Sequence, residues 1–140
     1  MLVPLRRIEL PQGDVLHALK ASEQAFHGFG EAYFSAVNAG QIKAWKRHRK
    51  MVSNLIVPVG SIRLKLRDVR VESSTFGHGF EVILGPKNYQ RLTVPPGIWF
   101  GFEGLADNLN LMLNLASIEH DPAESEIGAL DDPGISAHGW

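Results

Sequence analysis

Turn-forming residues interrupt this chain at short, nearly regular intervals, and that spacing limits the fold more than any other feature. From residue 38 onward they fall at Asn38-Ala39-Gly40, Val59-Gly60-Ser61, Gly77-His78-Gly79, Gly85-Pro86-Lys87-Asn88, Pro95-Pro96-Gly97, Gly101 to Gly104 and Asp107-Asn108. Between them lie short β-rich runs, including Ile62 to Val71, Phe80 to Leu84 and Arg91 to Val94. Such spacing predicts an all-β chain whose short strands fold back on one another as an antiparallel sandwich or barrel. Two runs carry the strand period outright. Ile62, Leu64 and Leu66 face one way and Arg63, Lys65 and Arg67 the other. Leu109, Leu111, Leu113 and Leu115 oppose Asn108, Asn110, Met112 and Asn114.

The two ends are less regular. Leu5 to Glu9 reads as a short strand closed by Pro11-Gln12-Gly13-Asp14, and Asp14 is placed to cap a short helix over Val15 to Lys20. Phe26-His27-Gly28-Phe29-Gly30 leads into a strand over Glu31 to Val37. After Ser117 the chain reads as an irregular tail with one helical turn, ending in the loop-like Asp131-Asp132-Pro133-Gly134.

With 140 residues there is room for one core, so residues 1–140 are expected to form a single domain. A formal net charge of -1 argues against a nucleic-acid partner, which usually draws a strong basic excess. The absence of cysteine removes disulfides, thiolate metal sites and cysteine nucleophiles. The start lacks the apolar run of a signal peptide, and no later window is long and apolar enough to span a bilayer. A cytoplasmic protein with no membrane partner is expected.

The chemistry gathers in the stretch Gly40 to Met51. A strand carrying Lys46 and His48 two residues apart puts both side chains on one face of a sheet. Lys46 is either a desolvated amine able to act as a base or grip a phosphate, or a lysine reaching water from a strand end. His48 titrates near neutrality and suits a proton shuttle, or is a hydrogen-bonded pocket histidine without chemistry. The cluster Lys43, Lys46, Arg47, Arg49 and Lys50 is either a diphosphate clamp or a solvated corner. Asn108, Asn110 and Asn114 either face water or line a lumen, and in the second case the leucines need cover from the N-terminal segment or a second subunit. Trp45, Trp99 and Tyr33 can stack on a base or sugar, although Trp99 suits core filling. His17, His27, His78, His120 and His138 read as loop or surface residues.

Several motifs resemble one known family. Ser74-Thr75-Phe76-Gly77 is similar to an S-P-T-F-G run, with Ser73 and Ser74 in place of Ser-Pro. Leu84 to Phe102 follows the pattern L-S-x-x-N-x-x-x-L-x-I-P-x-G-F-A-H-G-F without a gap. Asp131-Asp132-Pro133 matches a late W-D-D-P with Leu130 for Trp, and Ile42 to Lys46 sits on L-R-G-L-H. These belong to the cupin-type dTDP-4-dehydrorhamnose 3,5-epimerases, and the resemblance spans about residues 31–133. It implies a cupin jelly roll, a homodimer, and a place in polysaccharide biosynthesis. Lys46 stands where the family has its catalytic histidine, Asn114 where it has its tyrosine, Lys43 where it has an arginine, and Phe100 where it has the histidine of A-H-G-F. The acidic partner of the base is expected at Asp131 or Asp132. Sugar-nucleotide 3,4-ketoisomerases carry an H-x-H pair here, which Lys46-Arg47-His48 resembles with its first histidine changed.

A metal-binding cupin needs several fixed histidine and carboxylate donors, and of these only His48 remains, so neither a metal nor another cofactor is expected. The resemblance thus implies an epimerase or isomerase of a nucleotide-diphosphate keto-deoxysugar working by metal-independent proton transfer. In this scheme Lys46 is the base, His48 its partner or proton donor, Asn114 an oxygen ligand and Asp131 the supporting acid. Lys43, Arg47, Asn110 and Trp99 form the substrate-binding set. The alternatives are a nucleotide-sugar or carbohydrate-binding cupin that has lost its acid–base pair, and a purely structural homodimer.

Overall fold

The computed structural model describes residues 1–136 and 140, so the loop position expected for His138 lies outside the described residues. Its strands are β1 (Leu2–Pro4), β2 (Arg7–Ile8), β3 (Val15–Leu16), β4 (Glu31–Ala36), β5 (Ile42–His48), β6 (Ser53–Val59), β7 (Ile62–Asp68), β8 (Gly79–Leu84), β9 (Gln90–Val94), β10 (Ile98–Gly104), β11 (Leu111–Ala116) and β12 (Ser125–Ile127). Among the described residues the helical content is one 3-10 turn, Pro122–Glu124.

Two five-stranded sheets form, in the orders β1-β9-β6-β11-β4 and β12-β5-β10-β7-β8, with β2 and β3 paired apart. The antiparallel pairings nest: β4 with β11, β5 with β10, β6 with β9 and β7 with β8. A long hairpin rolled so that its halves alternate between two facing sheets is a jelly roll, as the turn spacing and the family motifs led one to expect. The sheets close on Leu55, Val57, Leu92, Val94 and Met112 from the first and Ile62, Leu64, Leu84, Phe100 and Phe102 from the second. The switch from β6 to β7 needs glycine. Gly60 has φ +84°, and a Cβ there would sit 2.3 Å from the Leu109 carbonyl oxygen.

The alternating runs resolve the orientation of β11. Asn110, Met112 and Asn114 are buried on the inner face, while Leu111, Leu113 and Leu115 lie outward and are only half-buried. Cover for the outer face comes partly from the N-terminal segment. Arg91, 1% exposed, reaches outward from β9 to pair with Glu23 at 2.7 Å and to donate to the Ala18 carbonyl. Asn54 donates to the Ala25 carbonyl at 3.0 Å.

That segment departs from its local reading. The helix expected over Val15 to Lys20 is absent, because Val15 and Leu16 pair with Ile8 and Arg7. The Asp14 carboxylate, expected as a cap, accepts instead from Arg7 at 3.0 Å. Pairing across a turn satisfies backbone groups that a helix this short would leave open. The strand expected over Leu5 to Glu9 shrinks accordingly to Arg7–Ile8. At the other end, residues 128–136 and Trp140 fold over the outer face of the second sheet, where Trp45, Trp99 and Ile135 are buried together. No helix among the described residues is long and apolar enough to cross a membrane.

Candidate active site

Between the sheets, where β4 and β5 face each other, lies a cavity of about 380 Å³. The first sheet lines it with Tyr33, Ser35, Leu55, Met112 and Asn114, the second with Lys43, Lys46, Phe100 and Phe102. A strict strand period would send Lys43 and Lys46, three residues apart, to opposite faces. A register shift against β10 brings both inward: Lys46 lies opposite Phe100 and Lys43 opposite Phe102. Lys43 Nζ donates to the Ala36 carbonyl at 2.6 Å, which holds the ammonium at the cavity rim.

Lys46 and His48 share a face, as the spacing predicted, but they meet different surroundings. Lys46 is half-buried at the cavity wall, whereas His48 is 4% exposed, its ring stacked on Phe100 at 6.1 Å. His48 Nδ1 contacts Oε1 of Glu124, itself buried. The other carboxylate oxygen accepts from the backbone N–H groups of Lys50 and Met51 at 3.1 and 3.3 Å. Burial pushes the His48 pKa down, more than the hydrogen bond and charge of Glu124 push it up, so the imidazole sits below its ordinary value. Burial alone would raise Glu124, but the hydrogen bonds from His48, Lys50 and Met51 outweigh it and hold the carboxyl below its ordinary value. The pair is therefore a neutral imidazole beside a carboxylate. Glu124 accepts from Nδ1–H, which leaves the lone pair on Nε2, and Nε2 has no partner among the described residues.

The facing wall carries a second polar pair. Asn114 lies directly opposite Tyr33 across the β4–β11 ladder, and its Nδ2 donates to the Tyr33 phenolic oxygen at 2.9 Å. Asn114 Oδ1 is buried without a partner among the described residues. Buried polar atoms are ordinarily hydrogen-bonded, so this one marks a position where a ligand donor fits.

His48 is buried against Phe100 and does not itself line the cavity, and four more of the expected site residues lie elsewhere. Arg47 alternates to the outer face of β5, where Glu126 holds it and its guanidinium lies 4.8 Å from the Trp99 ring centre. Trp99 is outward for the same reason, buried under the C-terminal segment. Asn110 spends its amide inside the chain, accepting from Ser61 and Ala106 N–H groups and donating to the Val37 and Ala106 carbonyls. Asp131 is exposed in a turn, and the carboxylate against His48 is Glu124. Glu124 had no local signal. It precedes a three-residue strand, β12, that adds to the edge of β5 and sets Ser125 opposite His48, and so short a strand shows no period.

A wider groove of about 480 Å³ runs along β7 and β8 on the other side of the second sheet, away from Lys46 and Asn114. Among the described residues no three histidine, aspartate or glutamate side chains are grouped to hold a metal ion.

A jelly roll with an open cavity between its sheets, lined on one wall by amines and on the other by a phenol and an amide, is built to hold a small polar molecule. The chain belongs to the dTDP-4-dehydrorhamnose 3,5-epimerase family, whose pattern matches residues 32–138. A crystal structure of a dTDP sugar isomerase from Desulfovibrio desulfuricans G20 superposes with a TM-score of 0.92 at 43% identity, over 96% of this chain and 87% of that one. The "Probable low-salt glycan biosynthesis epimerase Agl13" of Haloferax volcanii is 30% identical over 91 residues, 64% of this chain. The match spans 58% of that protein's length. The spore coat polysaccharide biosynthesis protein SpsL of Bacillus subtilis is 24% identical over 115 residues, 82% of this chain and 76% of its own.

Proposed function

We propose that the protein is an epimerase or isomerase of a dTDP-type 4-keto-deoxysugar, acting in the cytoplasm on precursors of a glycan. One observation carries the reading: Lys46, Tyr33 and Asn114 converge on a single cavity, and Lys46 shares its face of β5 with the buried His48–Glu124 pair, whose Nε2 has no partner among the described residues. A C–H bond next to a ketone is acidified, so the reaction asks for a base, for donors to the enolate oxygen and for a proton source.

The surroundings of Lys46 and His48 support a different division of labour from the one the spacing suggested. A neutral imidazole with its tautomer fixed by Glu124 has the lone pair that a base needs, and we assign that role to His48. The Lys46 ammonium is assigned to the enolate oxygen, Asn114 Oδ1 to a sugar hydroxyl, and Lys43 at the rim to the diphosphate. Side chains alone supply these functions, so no metal ion is given a step, and turnover is expected to survive a chelator.

The test is solvent exchange. With dTDP-4-dehydrorhamnose in D₂O, the wild-type protein is expected to wash deuterium into a carbon next to the ketone. Lys46→Ala and His48→Gln are each expected to slow this at least about a hundredfold. Exchange at the wild-type rate in both variants would sink the assignment. Binding seen as a thermal shift, with no exchange even in the wild type, would point to a binding protein instead.

A further inference from the structure

We infer that Glu126, clamped by Arg47 and Arg49, is a positioning residue that latches β12 onto β5 and so keeps Glu124 against His48. The inference rests on the role given to His48 above. β12 is three residues long and lies at the edge of its sheet, with Ser125, Glu126 and Ile127 opposite His48, Arg47 and Lys46. Backbone bonds continue the ladder at each end, from Arg49 N–H to the Glu124 carbonyl at 2.7 Å and between Trp45 and Gly128. A ladder this short specifies its register weakly. Glu124 tolerates no slip, because one carboxylate oxygen meets His48 Nδ1 while the other takes the Lys50 and Met51 N–H groups. Sliding β12 by two residues would keep every side chain on its face and still carry Glu124 off the imidazole.

The outer face supplies what the backbone lacks. Arg47 donates to Glu126 Oε2 through Nε at 2.6 Å and through Nη2 as well. Arg49, just past the end of β5, donates from Nη2 to Oε1 at 2.7 Å. A single ion pair in contact with water is worth little, but a forked arginine on one oxygen and a second cation on the other fix a carboxylate in place. The anchor is itself held, since the Arg47 guanidinium lies 4.8 Å from the ring centre of buried Trp99. Two cations of the basic cluster are thus spent on the register of an edge strand.

The link to chemistry runs through the tautomer. The charged and titratable groups that bear on His48 are Glu124 from the 3-10 turn, Lys46 on its own strand and His120 from the loop after β11. Glu124 is the one that meets Nδ1. The lone pair therefore stays on Nε2 only while β12 holds its register, and Glu126 acts on the imidazole without touching it.

The experiment reads the tautomer and the rate separately. In protein labelled with nitrogen-15, the wild-type His48 ring is expected to show the Nδ1–H form alone at about pH 7.5. Glu126→Ala, and independently Arg47→Gln, are expected to draw both ring nitrogens toward the average of the two neutral tautomers. With dTDP-4-dehydrorhamnose in D₂O, Glu126→Ala is expected to slow deuterium incorporation about tenfold. Added to Glu124→Gln, the same substitution is expected to cost less than about threefold more, because losses that pass through one residue do not add. An unchanged tautomer in both variants would overturn the latch, and so would an equal loss of rate in both backgrounds. A wild-type protein with the fixed tautomer and no exchange would bring down the epimerase reading, while the altered tautomer of the variants would still uphold the latch.

Discussion

At the scale of single residues, the His48–Glu124 contact carries the most chemistry for its size. A neutral imidazole under a buried wall costs little, whereas protonating it places a cation where water is largely excluded. The folded-state pKa of His48 is depressed, so below the ordinary imidazole range the unfolded chain takes up a proton that the native site resists. Stability linked to His48 is therefore fully present above about pH 6.5 and is lost as the pH falls from there through the folded-state value. Exchange activity follows the same direction. It is expected to rise with pH through an apparent pKa below the usual imidazole value and then level off, read as a rate profile from pH 4.5 to about 8. Glu124→Gln replaces the carboxylate by an amide that can turn its N–H toward Nδ1, which loosens the tautomer and should reduce the plateau by roughly tenfold or more. An unchanged profile would mean that another group is the base. The pairing of Lys46 with His48 on one face was readable from two positions in a strand. The partner of His48 was not, because it arrives from 76 residues away, in the 3-10 turn just ahead of an edge strand too short to show a period.

At the scale of elements, the loop between β7 and β8 shows how a sequence motif can be structural. Asp68 is 5% exposed and accepts from the Arg70 backbone N–H and Nε at 2.9 Å, from Arg70 Nη2 at 2.6 Å, from Ser73 Oγ at 2.8 Å and from Thr75 Oγ1 at 2.6 Å. The family-like serine and threonine of this run thus knot the connection around one carboxylate. The Arg70 guanidinium, with help from both hydroxyls, holds that carboxyl well below the usual carboxylate range. Its contribution to stability is present above the unfolded value near pH 3.9 and fades as the pH drops below it. Asp68→Ala removes the acceptor for five donors and is expected to cost about 2–4 kcal/mol, measured by urea unfolding at neutral pH. The difference between the two proteins should narrow as the pH falls below 4. The β5 bulge teaches a complementary lesson. Alternation predicted the face of Lys46 and His48, yet only the pairing of β5 with β10 revealed that Lys43 joins them.

For the whole molecule, the outer face of the first sheet is only partly covered. The N-terminal segment seals β6 and β9 through Glu23, Ala18 and Ala25, but β4 and β11 are left with Phe34 beside Leu113, and with Ala36 beside Leu111. Phe34 is 62% exposed and Val59, next along the sheet, 42%. A second copy of the chain seated here would cover them, and the homodimer that the family resemblance implies is expected to use this face. Sedimentation should give twice the chain mass, and Phe34→Asp should raise the dimer dissociation constant at least tenfold. A monomer at micromolar concentration would rule the dimer out. What the sequence determined by itself is the all-β sandwich or barrel and the common face of Lys46 and His48, because turn spacing and a period of two residues are local properties of the backbone; the jelly roll was implied by the family motifs. Tertiary structure alone decided that Glu124 meets His48, that Tyr33 meets Asn114, and that Arg47, Trp99, Asn110 and Asp131 stand away from the cavity. Those outcomes depend on which strands pair and in what register, and register is set by the packing of residues far apart in the chain.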